Sequence, residues 1–186
     1  MLHIHIGSIT EQGLDLDQQV DAVTLPLLDA VTREGSIRFT RPMHVSIRAT
    51  LAGQTVLIDG TIIARVRIPC SRCLEPFDLT IETDFSATAV PEIPANLDPD
   101  AADDIELSAD EIEAIAYRGN SIDLRDEIAQ QVIMALPFKP LCRDTCKGLC
   151  GRCGVDLNKT PCQCPSKDQS SPFAVLKTLS FPKEKE

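Results

Sequence analysis

At 186 residues and 43% hydrophobic content, the chain is long enough for one cored domain with an appended module. Its formal net charge of −10 argues against wholesale coating of nucleic acid, because phosphate binding needs cations. No run reaches the ~18 apolar residues of a membrane-spanning helix, and the opening Met-Leu-His-Ile-His-Ile-Gly-Ser lacks the basic and apolar regions of a secretory signal, so a cytoplasmic protein with no membrane partner is expected.

Charge is distributed unevenly. Residues 33–72 carry seven arginines against Glu34 and Asp59, whereas residues 92–113 carry nine acids and no base. Trp is absent and aromatics are few, so the core is expected to be Ile, Leu, Val and Ala.

Residues 2–8 alternate Leu-His-Ile-His-Ile and predict an opening strand. Val20, Val23, Leu25, Leu27, Leu28 and Val31 fall near helical spacing with Pro26 among them, which predicts one or two short helical pieces over residues 15–33. A β-meander follows. His44–Leu51 alternates cleanly, Ala52-Gly53-Gln54 is turn chemistry, Thr55–Pro69 is long and β-branched with Gly60 as an expected bulge, and Phe77–Val90 returns. The meander has one apolar face and needs a cover.

Residues 91–111, rich in Pro, Ala and Asp, read as an acidic loop. Glu113–Tyr117 predicts a short strand and Gly119-Asn120 a turn. Asp123 is expected to cap a helix running to about Ala135, whose stripe of Leu124, Ile128, Val132 and Ala135 covers the sheet. Residues 166–171 read as a polar linker. Ser171-Pro172 then opens a last short helix to Leu179. The expected fold class is α+β: an antiparallel β-meander covered by a helix, with a C-terminal cysteine-rich zinc-knuckle module. The expected units are a core domain 1–138, a zinc-binding module 139–165 and a C-terminal segment 166–186.

Eight cysteines carry most of the chemistry. Cys70 and Cys73 form a CxxC at the end of the β-branched run, and Cys142, Cys146, Cys150, Cys153, Cys162 and Cys164 cluster downstream. Thiols at this density bind metal or form disulfides, and a reducing compartment favours metal. Two thiolates two residues apart can share one tetrahedral zinc, and Gly151 and Gly154 permit the tight turn at Cys150-Gly-Arg-Cys153. Lys139, Arg143, Lys147, Arg152, Lys159 and Lys167 face only Asp144 and Asp156 here, and nearby cations stabilise thiolates. The favoured grouping puts Cys150, Cys153, Cys162 and Cys164 on one zinc. Cys70, Cys73, Cys142 and Cys146 then form a second site that staples the strands to the C-terminal segment. One zinc with four spare thiols remains the alternative, because spacing does not reveal proximity. A thioredoxin-like reading of Cys70-Ser-Arg-Cys73 is disfavoured, since strand rather than helix follows it.

The ordered motifs Cys70-Ser-Arg-Cys73-Leu-Glu-Pro-Phe, Ile122-Asp-Leu, Ala135-Leu-Pro137 and Leu141-Cys-Arg-Asp-Thr-Cys-Lys-Gly-Leu-Cys-Gly-Arg-Cys-Gly-Val-Asp-Leu-Asn158, with the terminal Ser-Pro-Phe-Ala-Val-Leu-Lys-Thr-Leu, resemble the YceD family of bacteria and plastids over about residues 35–180. The resemblance implies a non-enzymatic factor for 23S rRNA accumulation or processing in large ribosomal subunit biogenesis. It implies no catalytic residues, and family members differ in how many of these cysteines they carry. The implied partners are precursor 23S rRNA, or large-subunit ribosomal proteins and assembly factors.

An RNA contact surface is available in Arg48, Arg65 and Arg67 on the polar sheet face, with Arg72, Arg143, Lys147 and Arg152 at the knuckles. The plain alternative pairs the strand arginines with Asp78, Glu82 and Asp84 across strands. Another class is a zinc-ribbon transcriptional or redox regulator, which reversible thiol oxidation with zinc release would favour. Hydrolase chemistry finds no support: His3, His5 and His44 have no metallohydrolase spacing, no Walker loop, GxSxG or HExxH occurs, and thiolate-saturated zinc has no open position. Oligomeric state is not encoded in any of these patterns.

Overall fold

The computed structural model describes residues 2–35, 37–92 and 114–164. Its strands are β1 (His3–His5), β2 (Leu14–Val20), β3 (Arg38–Phe39), β4 (Met43–Ala52), β5 (Thr55–Pro69), β6 (Pro76–Pro91), β7 (Ile115–Tyr117) and β8 (Ser121–Asp123). The helices are α1 (Pro26–Glu34) and α2 (Arg125–Ala135), with single 3-10 turns at Ile6–Ser8 and Ala22–Thr24. One sheet runs β2-β4-β5-β6-β7, with β3 also on β5, and β1 pairs with β8 in a two-stranded sheet. The class is α+β with an antiparallel-rich sheet.

Period-two patterning fixes which face is buried. On β5, Val56, Ile58, Ile62, Ala64, Val66 and Ile68 are buried, while Leu57, Asp59, Arg65 and Arg67 are exposed. The inner faces of β4 and β6 add Val45, Ile47, Ala49, Ile81, Phe85 and Ala89. Helix α2 packs on β5 and β6 with Leu124, Ile128, Ala129 and Val132 buried, and α1 packs against α2. Each fully buried aliphatic side chain here contributes about 1.5–3 kcal/mol of transfer free energy. This is the expected helical cover.

Three details differ from the sequence expectation. Residues 14–20 form a strand, not helix. Leu14, Leu16, Gln18 and Val20 alternate with exposed Asp15, Asp17 and Gln19, and the segment pairs in full register with β4. Helix begins only at Pro26, where a proline in the first turn loses no hydrogen bond. Gly60 makes no bulge: it pairs in register with Ile47 on one side and Phe85 on the other. A Cβ there would lie 2.4 Å from Phe85 Cε1 and 2.8 Å from the Ser46 carbonyl oxygen, so glycine is required by the Phe85 ring. Asp123 ends β8 and Leu124 stands at the N-cap of α2, but the Asp123 carboxylate still accepts the Arg125 backbone N–H at 3.0 Å.

Strand β7 is parallel to β6, with Ala89 opposite Ile115. A parallel return needs a long connection, which the intervening chain supplies in length. The expected acidic loop lies outside the described residues except for Pro91, which closes β6, and Glu92, which is paired with Arg118. The expected linker and last helix also lie outside them. No helix among the described residues is long and apolar enough to cross a membrane.

Candidate metal centres

The β5–β6 hairpin ends in a tight turn that presents Cys70 and Cys73. Cys70 N–H donates to the Glu75 carbonyl at 2.9 Å, Leu74 N–H donates to the Cys70 carbonyl at 2.9 Å, and Arg72 N–H points at Cys70 Sγ at 3.4 Å. The same turn recurs at Cys150. Cys150 N–H donates to the Val155 carbonyl at 2.8 Å, Gly154 N–H to the Cys150 carbonyl at 2.9 Å, and Arg152 N–H approaches Cys150 Sγ at 3.5 Å. In both turns the residue after the second cysteine has positive φ: 61° at Leu74 and 73° at Gly154.

Each turn delivers two sulfurs to a group of four. Cys70, Cys73, Cys142 and Cys146 form one quartet, and Cys150, Cys153, Cys162 and Cys164 the other, with all sulfurs of a group within 4.8 Å of one another. These are the groupings favoured from sequence. Cys70–Cys146 and Cys73–Cys142 are separated by 3.8 Å, Cys153–Cys162 by 3.5 Å and Cys150–Cys162 by 3.3 Å. A tetrahedral ion with metal–sulfur bonds of about 2.3 Å has sulfur–sulfur edges of roughly 3.8 Å. Disulfide sulfurs sit at about 2.05 Å, and all eight cysteines are free. Each quartet can hold a metal ion.

The quartets differ in depth. Cys70, Cys73 and Cys146 are buried together, with Phe77, Leu141 and Leu149 packed around them. In the other quartet Cys153 is exposed and the remaining three are half-buried. Backbone bonds hold the deep quartet shut: Ser71 N–H to the Pro140 carbonyl at 2.8 Å and Leu149 N–H to the Arg72 carbonyl at 3.1 Å. Gly148 lies so close to Arg72 that a Cβ would meet its carbonyl oxygen at 2.9 Å.

Electrostatics grade the thiols. Burial pushes Cys70 up, but hydrogen bonds from Cys142, Cys73 and Arg72 together outweigh it and bring the thiol down to about 6. Cys142 is exposed as a residue, yet its sulfur lies among the other three. Desolvation there, with hydrogen bonds to Cys146, Cys70 and Cys73, raises it to about 12. In the shallow quartet, N–H groups of Cys153 and Arg152 lower Cys150 to about 6, while Cys162 and Cys153 raise Cys164 to about 12. At Cys146 desolvation is again outweighed, by hydrogen bonds from Asn158 and the Gly148 N–H with Cys73 and Cys142, and that thiol is lowered as well. Each quartet thus pairs a thiol ready to ionise with one, Cys142 or Cys164, that gives up its proton to a cation.

The basic candidates separate into different roles. Arg72 Nη1 donates to the Cys146 carbonyl at 2.8 Å and the Asp144 carbonyl at 3.1 Å, bracing the deep quartet. Arg143 donates to Asn158 Oδ1 at 2.9 Å. Arg48 pairs with Asp15 at 3.2 Å, and Arg67 with Asp78 at 2.7 Å, the cross-strand pairing of the plain alternative. Asp84 instead accepts from Thr61. The side chains of Arg65, Lys147 and Arg152 have no ion-pair or hydrogen-bond partner among the described residues. Arg48 faces Asp59 on β5, six residues from Arg65 and so roughly 20 Å along the strand, which separates it from the Arg65–Arg67 pair.

Asn158 ends the Leu141–Asn158 motif, and the sequence pattern alone does not reveal its role. Its Oδ1 accepts the Lys147 backbone N–H at 2.9 Å, and its Nδ2 donates to Asp156 at 2.7 Å and to Cys146 Sγ at 3.4 Å. A residue of the C-terminal loop therefore reaches back to a sulfur of the deep quartet. The available signal was an amide four residues before the last cysteine pair, which spacing alone does not distinguish from a turn residue.

Residues 58–180 match the family described as large ribosomal RNA subunit accumulation protein YceD. The chain belongs to the YceD family. The YceD match spans most of β5, all of β6, both cysteine quartets and α2. An uncharacterized protein of Mycobacterium tuberculosis is 34% identical over 64% of this chain and 53% of its own length. Chloroplastic proteins named large ribosomal RNA subunit accumulation protein YCED homolog 1 are similar as well. The Arabidopsis thaliana protein is 23% identical over 74% of this chain and 48% of its own, and the Zea mays protein 26% over 89% and 65%. The chain spans about half the length of the first two of these relatives and about two thirds of the maize protein. No solved structure matches. The family is named for accumulation of large-subunit ribosomal RNA.

Proposed function

We propose that this chain is a non-enzymatic, zinc-stabilised factor supporting 23S rRNA accumulation or processing during large ribosomal subunit biogenesis, acting in the cytoplasm. The observation that carries the reading is the family match over most of β5, all of β6 and both quartets. Its partners are precursor 23S rRNA, or large-subunit ribosomal proteins and assembly factors.

All eight cysteines ligate zinc, four to each ion. Four thiolates saturate a tetrahedral ion, so the metal serves folding rather than turnover. The deep quartet ties the β5–β6 hairpin to the segment after α2, and the shallow one closes the C-terminal loop on itself. The test is the ratio of 23S to 16S rRNA, with precursor-end mapping, in cells depleted of the protein. A selective fall in 23S, restored by the wild-type gene, is expected. An unchanged ratio with normal ends overturns the reading.

A second reading, a zinc-ribbon redox regulator, is favoured by one feature: the shallow quartet has an exposed cysteine and sulfurs 3.3–3.5 Å apart. Reversible zinc release under mild peroxide, with a change in specific DNA binding, would mark it out.

A further inference from the structure

The outer sheet face obeys charge complementarity at Arg48 and at Arg67. Arg48 stands between Asp15 and Asp59, and Arg67 faces Asp78. One position breaks the rule. Arg38 of β3 lies directly opposite Arg67 of β5, and like charges directly opposite destabilise a strand pair. Arg65 is two residues from Arg67 on the same face, and Arg41 follows just after β3. Arg38, Arg41 and Arg65 are exposed, and their side chains make no ion pair or hydrogen bond among the described residues.

Two of these arginines, Arg38 and Arg41, edge a concavity. A groove of about 600 Å³ lies between the end of α1 and β3, lined by Arg33, Arg38 and Arg41 with Thr40 and one acid, Asp21. Arg33 is held by Asp29 at 2.8 Å. Glu82, opposite Ile63, is the nearest acid along the face on the β6 side besides Asp78. The whole chain is acidic, yet here cations are gathered against the preference of the sheet; Asp78 attracts Arg65 from beside Arg67, but none of the three arginines forms an ion pair or side-chain hydrogen bond among the described residues.

Resting on the proposed role in large-subunit rRNA accumulation, we infer that Arg38 and Arg41, with the groove they border, and Arg65 beside them on the outer face of β5 form the docking surface for the phosphate backbone of an RNA strand. Charge complementarity selects the occupant. Free guanidinium forks match phosphate oxygens bidentately, and a surface of this kind positions RNA without reading its sequence. No aromatic platform is needed for backbone contact. Arg48, tied to Asp15 and the Gln12 carbonyl in the acidic part of the face, lies outside the surface. Arg38 and Arg41 join it, although the polar-face pattern of the longer strands did not point to them.

The experiment uses the zinc-loaded full chain and fluorescence anisotropy with a 23S rRNA transcript fragment, over a salt series. Arg38→Gln with Arg65→Gln should weaken binding tenfold or more and reduce the slope of log K against log salt by about 1.4, at roughly 0.7 per lost phosphate contact. Arg38→Lys with Arg65→Lys keeps the charge and should keep most of the affinity, while Arg48→Gln should bind as wild type. Circular dichroism confirms that each variant folds. Equal loss in Arg48→Gln, or unchanged affinity and slope in the double Gln variant, overturns the surface. So does a wild-type chain that binds polyglutamate and not RNA, which would assign the arginines to an acidic polypeptide. A double Gln variant that loses RNA yet still restores 23S rRNA in depleted cells would keep the surface and remove it from the proposed function. Wild-type protein that restores 23S rRNA but does not bind the transcript would do the reverse.

Discussion

Leu74 and Gly154 hold the same place in two copies of one turn. Each follows the second cysteine of a CxxC, each has positive φ, and each donates its N–H to the carbonyl of the first cysteine at 2.9 Å. Glycine occupies this backbone region without penalty, whereas a side chain bearing Cβ pays about 1 kcal/mol or more. Leu74 is 63% exposed and gains little from burial in return. Leu74→Gly should therefore stabilise the zinc-loaded protein by about 0.5 kcal/mol, the ~1–2 kcal/mol of left-handed strain less the ~0.4–1 kcal/mol entropy of the freer unfolded chain. Thermal melts at fixed zinc check this, and Gly154→Ala should move the midpoint the opposite way. A Leu74→Gly protein that melts earlier would mean the leucine makes a stabilising contact elsewhere.

Asn158 connects the C-terminal loop to the deep quartet through Cys146 Sγ, Lys147 N–H and Arg143. Groups that orient metal ligands typically account for 10–100-fold in metal affinity. Asn158→Ala should lower affinity by that order at Cys70, Cys73, Cys142 and Cys146 and leave the shallow quartet unchanged. Competition with a chromophoric chelator resolves the two. Simultaneous weakening of both sites would instead make Asn158 a general fold determinant.

Much of this was legible in sequence because the relevant signals are local. Strict alternation marked β4, β5 and β6 to within a residue or two, and CxxC spacing with glycines marked the Cys150 turn. What escaped was non-local. Leu14-Asp15-Leu16 alternates too, but three apolar positions are too few to outweigh the helical spacing of the leucines that follow. Gly60 reads as a bulge until Phe85, 25 residues away, is known to lie against it. The partition of eight sulfurs into quartets was one of several spacings allow. The bonds that enforce it, Ser71 to Pro140 and Leu149 to Arg72, join segments some 70 residues apart.

The graded thiols predict a pH signature in metal-free protein. The N–H groups of Cys153 and Arg152, with Cys162, lower Cys150 to about 6, below the ordinary thiol, so its thiolate is the form the fold favours. A depressed value means that this contribution is present above the unfolded thiol's range and is lost as pH falls through about 6. Iodoacetamide should modify Cys150 ahead of the other shallow-quartet thiols at neutral pH, with a half-maximal rate near pH 6, and zinc should suppress it. Peptide mapping across pH 5 to 9 reads this directly. Modification of all eight thiols together, near the usual thiol value, would show that the turn does not persist without metal.

Gly60 offers the sharpest test of the sheet core. A methyl group there would sit 2.4 Å from Phe85 Cε1 and 2.7 Å from Cζ, with the Ser46 carbonyl oxygen 2.8 Å away. The ring must move, and Phe85 is buried in the main core with little room to do so. Overpacking of this kind costs about 1–3 kcal/mol, so Gly60→Ala should destabilise by about 2 kcal/mol in denaturant unfolding. Phe85→Leu alone should also destabilise, by leaving a cavity. Combined, the two changes should cost less than their sum, because the smaller side chain vacates the space the new methyl needs and the residues are in contact. Strict additivity would show that the backbone, through the Ser46 carbonyl, and not the ring, is what keeps position 60 a glycine.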